Sequence, residues 1–356
     1  MSVSFFSRRV AIFGVAICVS IGGGIDAAPP AGVLDESHAA VRAVMAVQEE
    51  VTPGLLDKPE VLGTAVGMDV DGTLTLDVYV DQAAPRAAEF ARGLPHAIRE
   101  VPVRTQPMDE IVALGAYTSK QTPPIYLGTS GGWGYDLAGG YCCSGTLGSL
   151  VLINGVQYIL SNAHVLEGDT VSGKNFRVAQ TNDPVVQPGL IDADCNRAQT
   201  QTVGTLWRRN SLTSSNVDCA VARVRSGMVR TDGAILGIGV ISHLPVAAAL
   251  NQRVKKSGRS TGLTRSYIKG LNATVKVSYT NECHGATYYK TFSGQIVVNN
   301  PSNAFGKPGD SGSLLVQDVS PNPRPIGLIF AGNSSSSYAN PIAPVLNFLG
   351  ATMVGK

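Results

Sequence analysis

The chain has 356 residues, enough for more than one hydrophobic core. Charged residues make up only 15%, while Gly numbers 40 and Pro 20, a balance typical of a β-rich extracytoplasmic protein. Lys plus Arg at 28 against Asp plus Glu at 26 leave a formal charge of +2 with no long basic or acidic run, so neither nucleic acid nor an anionic surface is an expected partner.

Residues 1–28 read as an address rather than as fold. Arg8 and Arg9 precede an apolar run from Val10 to Ile21, and small residues ending at Ala27 and Ala28 lead into two prolines. This is the pattern of a secretory signal peptide, and the run is shorter than the ~20 apolar residues a membrane span needs. The expectation is a secreted or periplasmic protein with no membrane span in its mature form.

Residues 33–120 have the texture of a small α/β domain. "DESHAAVRAVMAVQEEV" predicts an amphipathic helix capped at Asp35 or Ser37, with Val41, Val44, Met45 and Val51 on its apolar face. "VLGTAVGMDVDGTLTLDVYV" predicts a hairpin turning at Asp71-Gly72, with Leu74, Leu76, Val78 and Val80 alternating. A short helix from Ala84 to Arg92 and a strand in "REVPVRT" complete it, and none of its residues has a catalytic context. Residues 121–142, rich in Gly, Pro and Ser, read as a linker. From 143 to 356 short apolar strands follow one another with turn residues between, which predicts an all-β sandwich or pair of barrels.

Without Cys18 of the address segment, Cys142, Cys143, Cys195, Cys219 and Cys283 remain. Five is odd, so one thiol stays free or pairs outside the chain. No C-x-x-C spacing marks a zinc site, and no metal or other cofactor is expected. Adjacent cysteines rarely bridge each other, so the expected pairs are one of Cys142 or Cys143 with a distant partner, and Cys195 with Cys283.

The chemistry is concentrated in three stretches. "GKPGDSGSLL" places Ser311 in a tight turn before an apolar strand, and a serine hydroxyl needs a base to act as a nucleophile. Of His38, His96, His164, His243 and His284, only His164 has a telling context: "TLGSLVLINGVQYILSNAHVL" reads as a hairpin turning at Asn154-Gly155 that breaks into "SNAHVL" at the second strand's end. In "SNVDCAVARV", Asp218 is a lone carboxylate in an apolar strand. Burying it is costly unless it is hydrogen-bonded, and an imidazole N–H satisfies it while fixing which ring nitrogen is free.

The order His164, Asp218, Ser311, with "SNAHVL", "VDCAV" and "GDSGS" around them, resembles the trypsin and chymotrypsin-like serine proteases. An α/β-hydrolase would instead run serine, acid, histidine. "QPGLID", "KKSGRSTGLT" and "GLIFAGNSSSSYANPI" are more specifically similar to a bacterial trypsin-like family with a small N-terminal domain, and in outline to plant narrow-leaf-type proteins. The resemblance implies two six-stranded antiparallel barrels and a short C-terminal helix. It implies an oxyanion hole made by the amides of Gly309 and Ser311, and a loop oriented by Asp310 from behind. No Ile-Val-Gly-Gly-like start precedes the first barrel, so Asp310 is expected to find another partner, Lys307 or a backbone amide. The substrate-pocket positions fall on Phe305, Phe330 and Gly332, with the substrate pairing along Phe330-Ala331-Gly332. None is acidic, so small or aliphatic side chains before the scissile bond are expected, unless Asp232 or Glu282 reaches the floor.

The resulting expectation is a serine endopeptidase acting on protein or peptide, with the small domain as a pro-region or docking module. Two alternatives stand beside it: a catalytically silent barrel that binds a partner, and an esterase-like acyl hydrolase using the same triad.

Overall fold

The computed structural model describes residues 34–108, 117–169, 171, 176–281, 283 and 285–356. The address segment, Glu282 and His284 lie outside them.

The small unit has its own core. Helix Ala39–Leu56 is longer than its periodic stretch, and Asp35 turns onto Ser37, whose amide and hydroxyl it accepts, instead of capping the helix. Strands Val61–Met68 and Leu74–Asp81 form the hairpin, and Val101–Met108 adds in parallel beside the second of them. Leu76, Val78 and Val80 are buried on one face, as alternation requires. On the other face Asp77 is buried and held by the Arg104 fork at 2.6 and 2.8 Å.

The rest of the chain is all-β with a C-terminal helix, Ile342–Leu349, in two large sheets and a two-stranded ribbon. Six strands close the second: Arg253–Gly258, Gly262–Thr280, Thr287–Asn299, Ser336–Pro341, Pro325–Gly332 and Leu314–Gln317, in that spatial order. The first sheet has eight strands, from Thr352–Met353 at one edge to Gly145–Leu147 at the other. It curls on itself, because Gly148, just past the last strand, donates its amide to Leu160 two strands in from the opposite edge. One apolar cluster runs through the first sheet and into Leu314, Val316, Leu328 and Phe330 of the barrel, so the two sheets share a packed face.

The span 121–142 is not a linker. Ile125 and Leu127 are fully buried, and Thr129–Trp133 is an inner strand of the eight-stranded sheet. Its glycines serve close approach, not flexibility: a Cβ on Gly131 would lie 2.4 Å from Leu147, and one on Gly134 2.9 Å from the Pro184 carbonyl. The small sheet ends at Met108, and by Tyr117 the chain already packs on the barrels, its carbonyl accepting from Ser130.

Cys142 pairs with Cys195 and Cys143 with Cys283, which corrects the expected Cys195 to Cys283 bridge. Each of the adjacent cysteines takes its own distant partner. Among the described residues Cys219 is the free thiol, fully buried, and burial pushes its pKa up, so it is inert. Among the described residues no helix is long and apolar enough to cross a membrane.

Candidate active site

His164 lies where strand Val156–Ser161 breaks into a single helical turn, Ala163–Leu166. The break is built from buried polar groups: Ser161 Oγ donates to the Thr146 carbonyl, and Asn162 Nδ2 donates to the Asp218 carbonyl at 2.7 Å. That second bond ties the turn to the start of strand Ala220–Val224, and so brings Asp218 under the histidine.

Asp218 is fully buried and fully engaged. Oδ1 accepts the Ala163 amide at 2.7 Å and the His164 amide at 3.4 Å. Oδ2 meets His164 Nδ1 at 2.6 Å and accepts the Tyr279 hydroxyl at 2.9 Å. The Asp218 amide donates to Asn340 Oδ1, whose Nδ2 donates to Gln295. Burial and the neighbouring Asp218 charge push the Tyr279 pKa up, so its proton stays in place as the donor. With Nδ1 held by Asp218, the other imidazole nitrogen, Nε2, is the one left to accept a proton. The His164 ring is part-exposed and lies 5.5 Å from the Tyr279 ring.

Tyr279 comes from a long hairpin, Gly262–Thr280 and Thr287–Asn299, that leaves the barrel and crosses to the first sheet. Asn281 near its tip exchanges side-chain bonds with the Val171 backbone, and the Cys143–Cys283 disulfide fastens it. Alternation of Val275, Val277 and Tyr279 was the available signal for this strand; its reach across the cleft was not readable locally.

Ser311 sits in the turn before Leu314–Gln317, and each carbonyl from Pro308 to Ser311 accepts a hydrogen bond. Pro308 C=O accepts the Ser260 hydroxyl at 2.6 Å, and Asp310 C=O accepts both the amide and the hydroxyl of Ser313. In a planar trans peptide the next N–H points opposite to the carbonyl. The amides of Gly309 and Ser311 are therefore turned the other way, and among the described residues neither has an acceptor within the chain. Thr146 clamps the same loop from the first sheet, its hydroxyl donating to Gly309 C=O and its amide to Ser311 C=O, each at 2.8 Å. Gly309 has φ +99°, and a Cβ there would lie 2.3 Å from Ser260 Oγ, so a side chain is excluded both by conformation and by space.

Asp310 is nearly fully buried and points back into the barrel. Oδ1 accepts the amides of Ser260 and Thr261; Oδ2 accepts the Thr261 hydroxyl and the Lys307 amide. Its cation is Lys256, itself fully buried, with Nζ at 3.4 Å. The expectation of backbone amides is met, and Lys307 contributes its amide, but the neutralising charge comes from the first half of "KKSGRSTG". Burial pulls the Lys256 pKa down to about 8, against the opposing pull of Asp310. Beside it Arg259 forks onto Asp192 at 2.6 Å through both nitrogens, tying the loop to the first sheet.

His164, Gly309, Ser311, Phe330 and Gly332 line one cleft of about 880 Å³. The bond the Ser311 hydroxyl makes is to the Phe330 carbonyl at 3.4 Å, at the edge of hydrogen-bond range, and not to His164. Phe305 is a correction: it is 1% exposed and packed in the barrel core with Val254, Ile268 and Ile326, beneath Lys256. The Asn300 side chain accepts its amide and turns the residue inward. Asp232 pairs with Arg230 and does not line the cleft. Of the remaining histidines within the described residues, His243 rests on the Lys356 carbonyl, His38 precedes a helix and His96 accepts the Val103 amide on its backbone carbonyl in the small unit, and none of the three lines the cleft.

Residues 209–339 match the family model described as the Nal1 C-terminal domain, a span that contains Asp218 and Ser311 and begins after His164. Similar solved structures include a glutamic acid specific serine protease described as using a histidine triad in substrate binding, at 18% identity over 64% of this chain and 100% of that one, TM-score 0.42. A chymotrypsin of Cellulomonas bogoriensis (20% identity, 65% of this chain, 99% of that one, TM-score 0.41) and protease A of Thermobifida fusca (19%, 65%, 99%, 0.41) are similar too. No curated protein matches the chain.

Proposed function

We propose that this chain is a secreted serine endopeptidase in which Ser311 is the nucleophile, His164 the general base and acid, and Asp218 the group that orients and charges the imidazole. The observation that carries the reading is the buried Asp218 to His164 pair facing the same cleft as Ser311 and two unengaged amides. Ser311 Oγ attacks the substrate carbonyl, and its proton passes to His164 Nε2. The new oxyanion accepts from the amides of Gly309 and Ser311, which are fixed before the charge develops. The imidazolium, paired with Asp218, returns the proton to the leaving amine, and water repeats the sequence on the acyl-enzyme. The loose bond from Ser311 to Phe330 C=O competes little, so the hydroxyl turns to His164 when substrate fills the cleft.

In this reading Phe330–Gly332 pairs with the acyl side of the substrate. Phe330 and Gly332 offer no charge there, and Phe305 is out of reach, so an apolar side chain before the scissile bond is favoured. The small unit is read as a pro-region or docking module. The test is labelling by a fluorophosphonate together with cleavage of a mixed peptide library. Wild type should label and cut, Ser311→Ala should do neither, and His164→Ala should lose several orders of magnitude in kcat. Labelling with ester but no peptide cleavage would identify an esterase; no labelling at all would identify a silent binding barrel.

A further inference from the structure

Past His164 the cleft runs into a recess walled by Asp136, Cys143, Ser144, Val165, Gly168 and Cys283. Asp136 is 6% exposed, yet it borders the cleft. Its backbone is satisfied by Trp133 and Cys143. Its carboxyl is not. Oδ1 touches the Cys283 sulfur at 3.3 Å, which is in a disulfide and has no proton to give, and among the described residues no donor reaches Oδ2. Burial, with the Asp169 charge behind it, raises the Asp136 pKa to about 7.

The carboxyl is rigidly placed. It stands at the root of a two-stranded ribbon, Leu137–Ala138 and Tyr141–Cys142, whose return strand is anchored by the bridges of Cys142 and Cys143. Asp136 and the two sulfurs lie close enough together to suggest a metal site, but both sulfurs are consumed by the disulfide, which leaves one ligand. Without donors the buried carboxyl is driven toward its protonated form, and a cation would supply the missing donors and favour the ionised form. The recess lies on the His164 side of Ser311. Strand Gly145–Leu147 runs against the Ser311 backbone, Cys143 and Ser144 precede it directly, and the Cys143 amide donates to the Asp136 carbonyl. The acyl side of the substrate occupies Phe330–Gly332, and His164 delivers its proton to the leaving amine, so this wall faces the leaving segment.

We propose that the recess is a subsite for a cationic side chain, Lys or Arg, in the first two residues after the scissile bond, with Asp136 as its counter-ion. The assignment rests on the peptidase reading. It differs from the pocket before the bond, which carries no acid; the other acid lining the cleft, Asp310, is already paired with Lys256.

The test uses peptides that are identical except for Lys or norleucine at each of these two positions. Binding to the full-length Ser311→Ala protein is read by fluorescence anisotropy, and kcat/KM is read with wild type. The Lys peptide should bind and be cut roughly tenfold to a hundredfold better than its norleucine twin at one of the two positions. The ratio should fall to about one in Asp136→Asn and in Asp136→Ser, two variants of different volume. Equal treatment of the two peptides, a ratio unchanged by both variants, or no peptide binding at millimolar concentration would overturn the subsite. Lys-selective binding with no hydrolysis by wild type would overturn the peptidase reading and leave the subsite standing.

Discussion

Asp218 and Asp310 are both buried carboxylates, one beneath His164 and the other behind the Ser311 turn, and the way each is satisfied separates their work. Asp310 has its own cation, Lys256, besides four hydrogen-bond donors. Its charge is spent inside the barrel, holding the turn that aims the amides of Gly309 and Ser311. Asp218 has two amides, a tyrosine hydroxyl and an imidazole nitrogen. Among the described residues its direct contacts include no permanent cation, so in the proposed mechanism its charge is available to the imidazolium that forms when His164 takes a proton. One carboxylate is neutralised and structural, the other held in reserve for a transient charge.

Substitutions in the two systems should therefore break different things. Asp218→Asn puts an amide N–H against His164 Nδ1, forcing the proton onto Nε2, where it blocks acceptance from Ser311. The expected loss is about 10⁴ in kcat, measured on a peptide cleaved by wild type, with a modest change in the urea midpoint. Lys256→Met leaves Asp310 charged and buried without its cation, and should cost about 3–5 kcal/mol of unfolding free energy in the same urea titration. If the two variants lose stability equally, the division between a reserved and a spent charge is wrong.

The comparison also shows what a sequence read in order can reveal. The three candidate residues were legible because each sits in a local break: His164 after a strand end, Asp218 alone among apolar residues, Ser311 in a Gly-rich turn. The hairpin of the small unit was legible from alternation and Asp71-Gly72. The further partners of the two acids, Tyr279 for Asp218 and Lys256 for Asp310, were not. Lys256 reads as one of two lysines in a strand flank, and only barrel closure turns it inward; Tyr279 reaches Asp218 from 61 residues further along the chain. Glycines misled at 121–142, where close packing of strands and loop flexibility ask for the same residue. Phe305 misled for a related reason: counting back from Ser311 gives a position in the chain, but Asn300 decides which way the side chain faces.

Tyr279 sharpens the comparison further, because it acts on the reserved charge alone. Tyr279→Phe keeps the ring stacked on Tyr288 and removes one donor from Asp218. A hydrogen bond to a charged group contributes about 1.5–3 kcal/mol, so kcat/KM should fall about tenfold or somewhat more. A purely structural role for the tyrosine would instead lower the urea midpoint and leave kcat/KM of the folded protein unchanged.

The smallest expected effect is on the spent charge, and it is read by pH. Lys256 faces the Asp310 carboxylate, the Thr261 hydroxyl, the Gly262 carbonyl and the Phe305 ring. Its pKa lies at about 8 in the folded protein, against 10.5 for an ordinary lysine, because burial disfavours the ammonium. Between these two values the unfolded chain binds the proton and the native state does not, so this group makes stability rise with pH across the window and fall back as pH drops through about 8. Catalysis should run the other way. As Lys256 loses its proton, Asp310 keeps its hydrogen bonds but not its cation, the turn bearing Gly309 and Ser311 loosens, and kcat should decline above about pH 8. In Lys256→Arg the guanidinium holds its charge far beyond that range, so the alkaline decline should disappear. A decline that persists unchanged in Lys256→Arg, or one that tracks a falling urea midpoint, would place its origin elsewhere than in this buried pair.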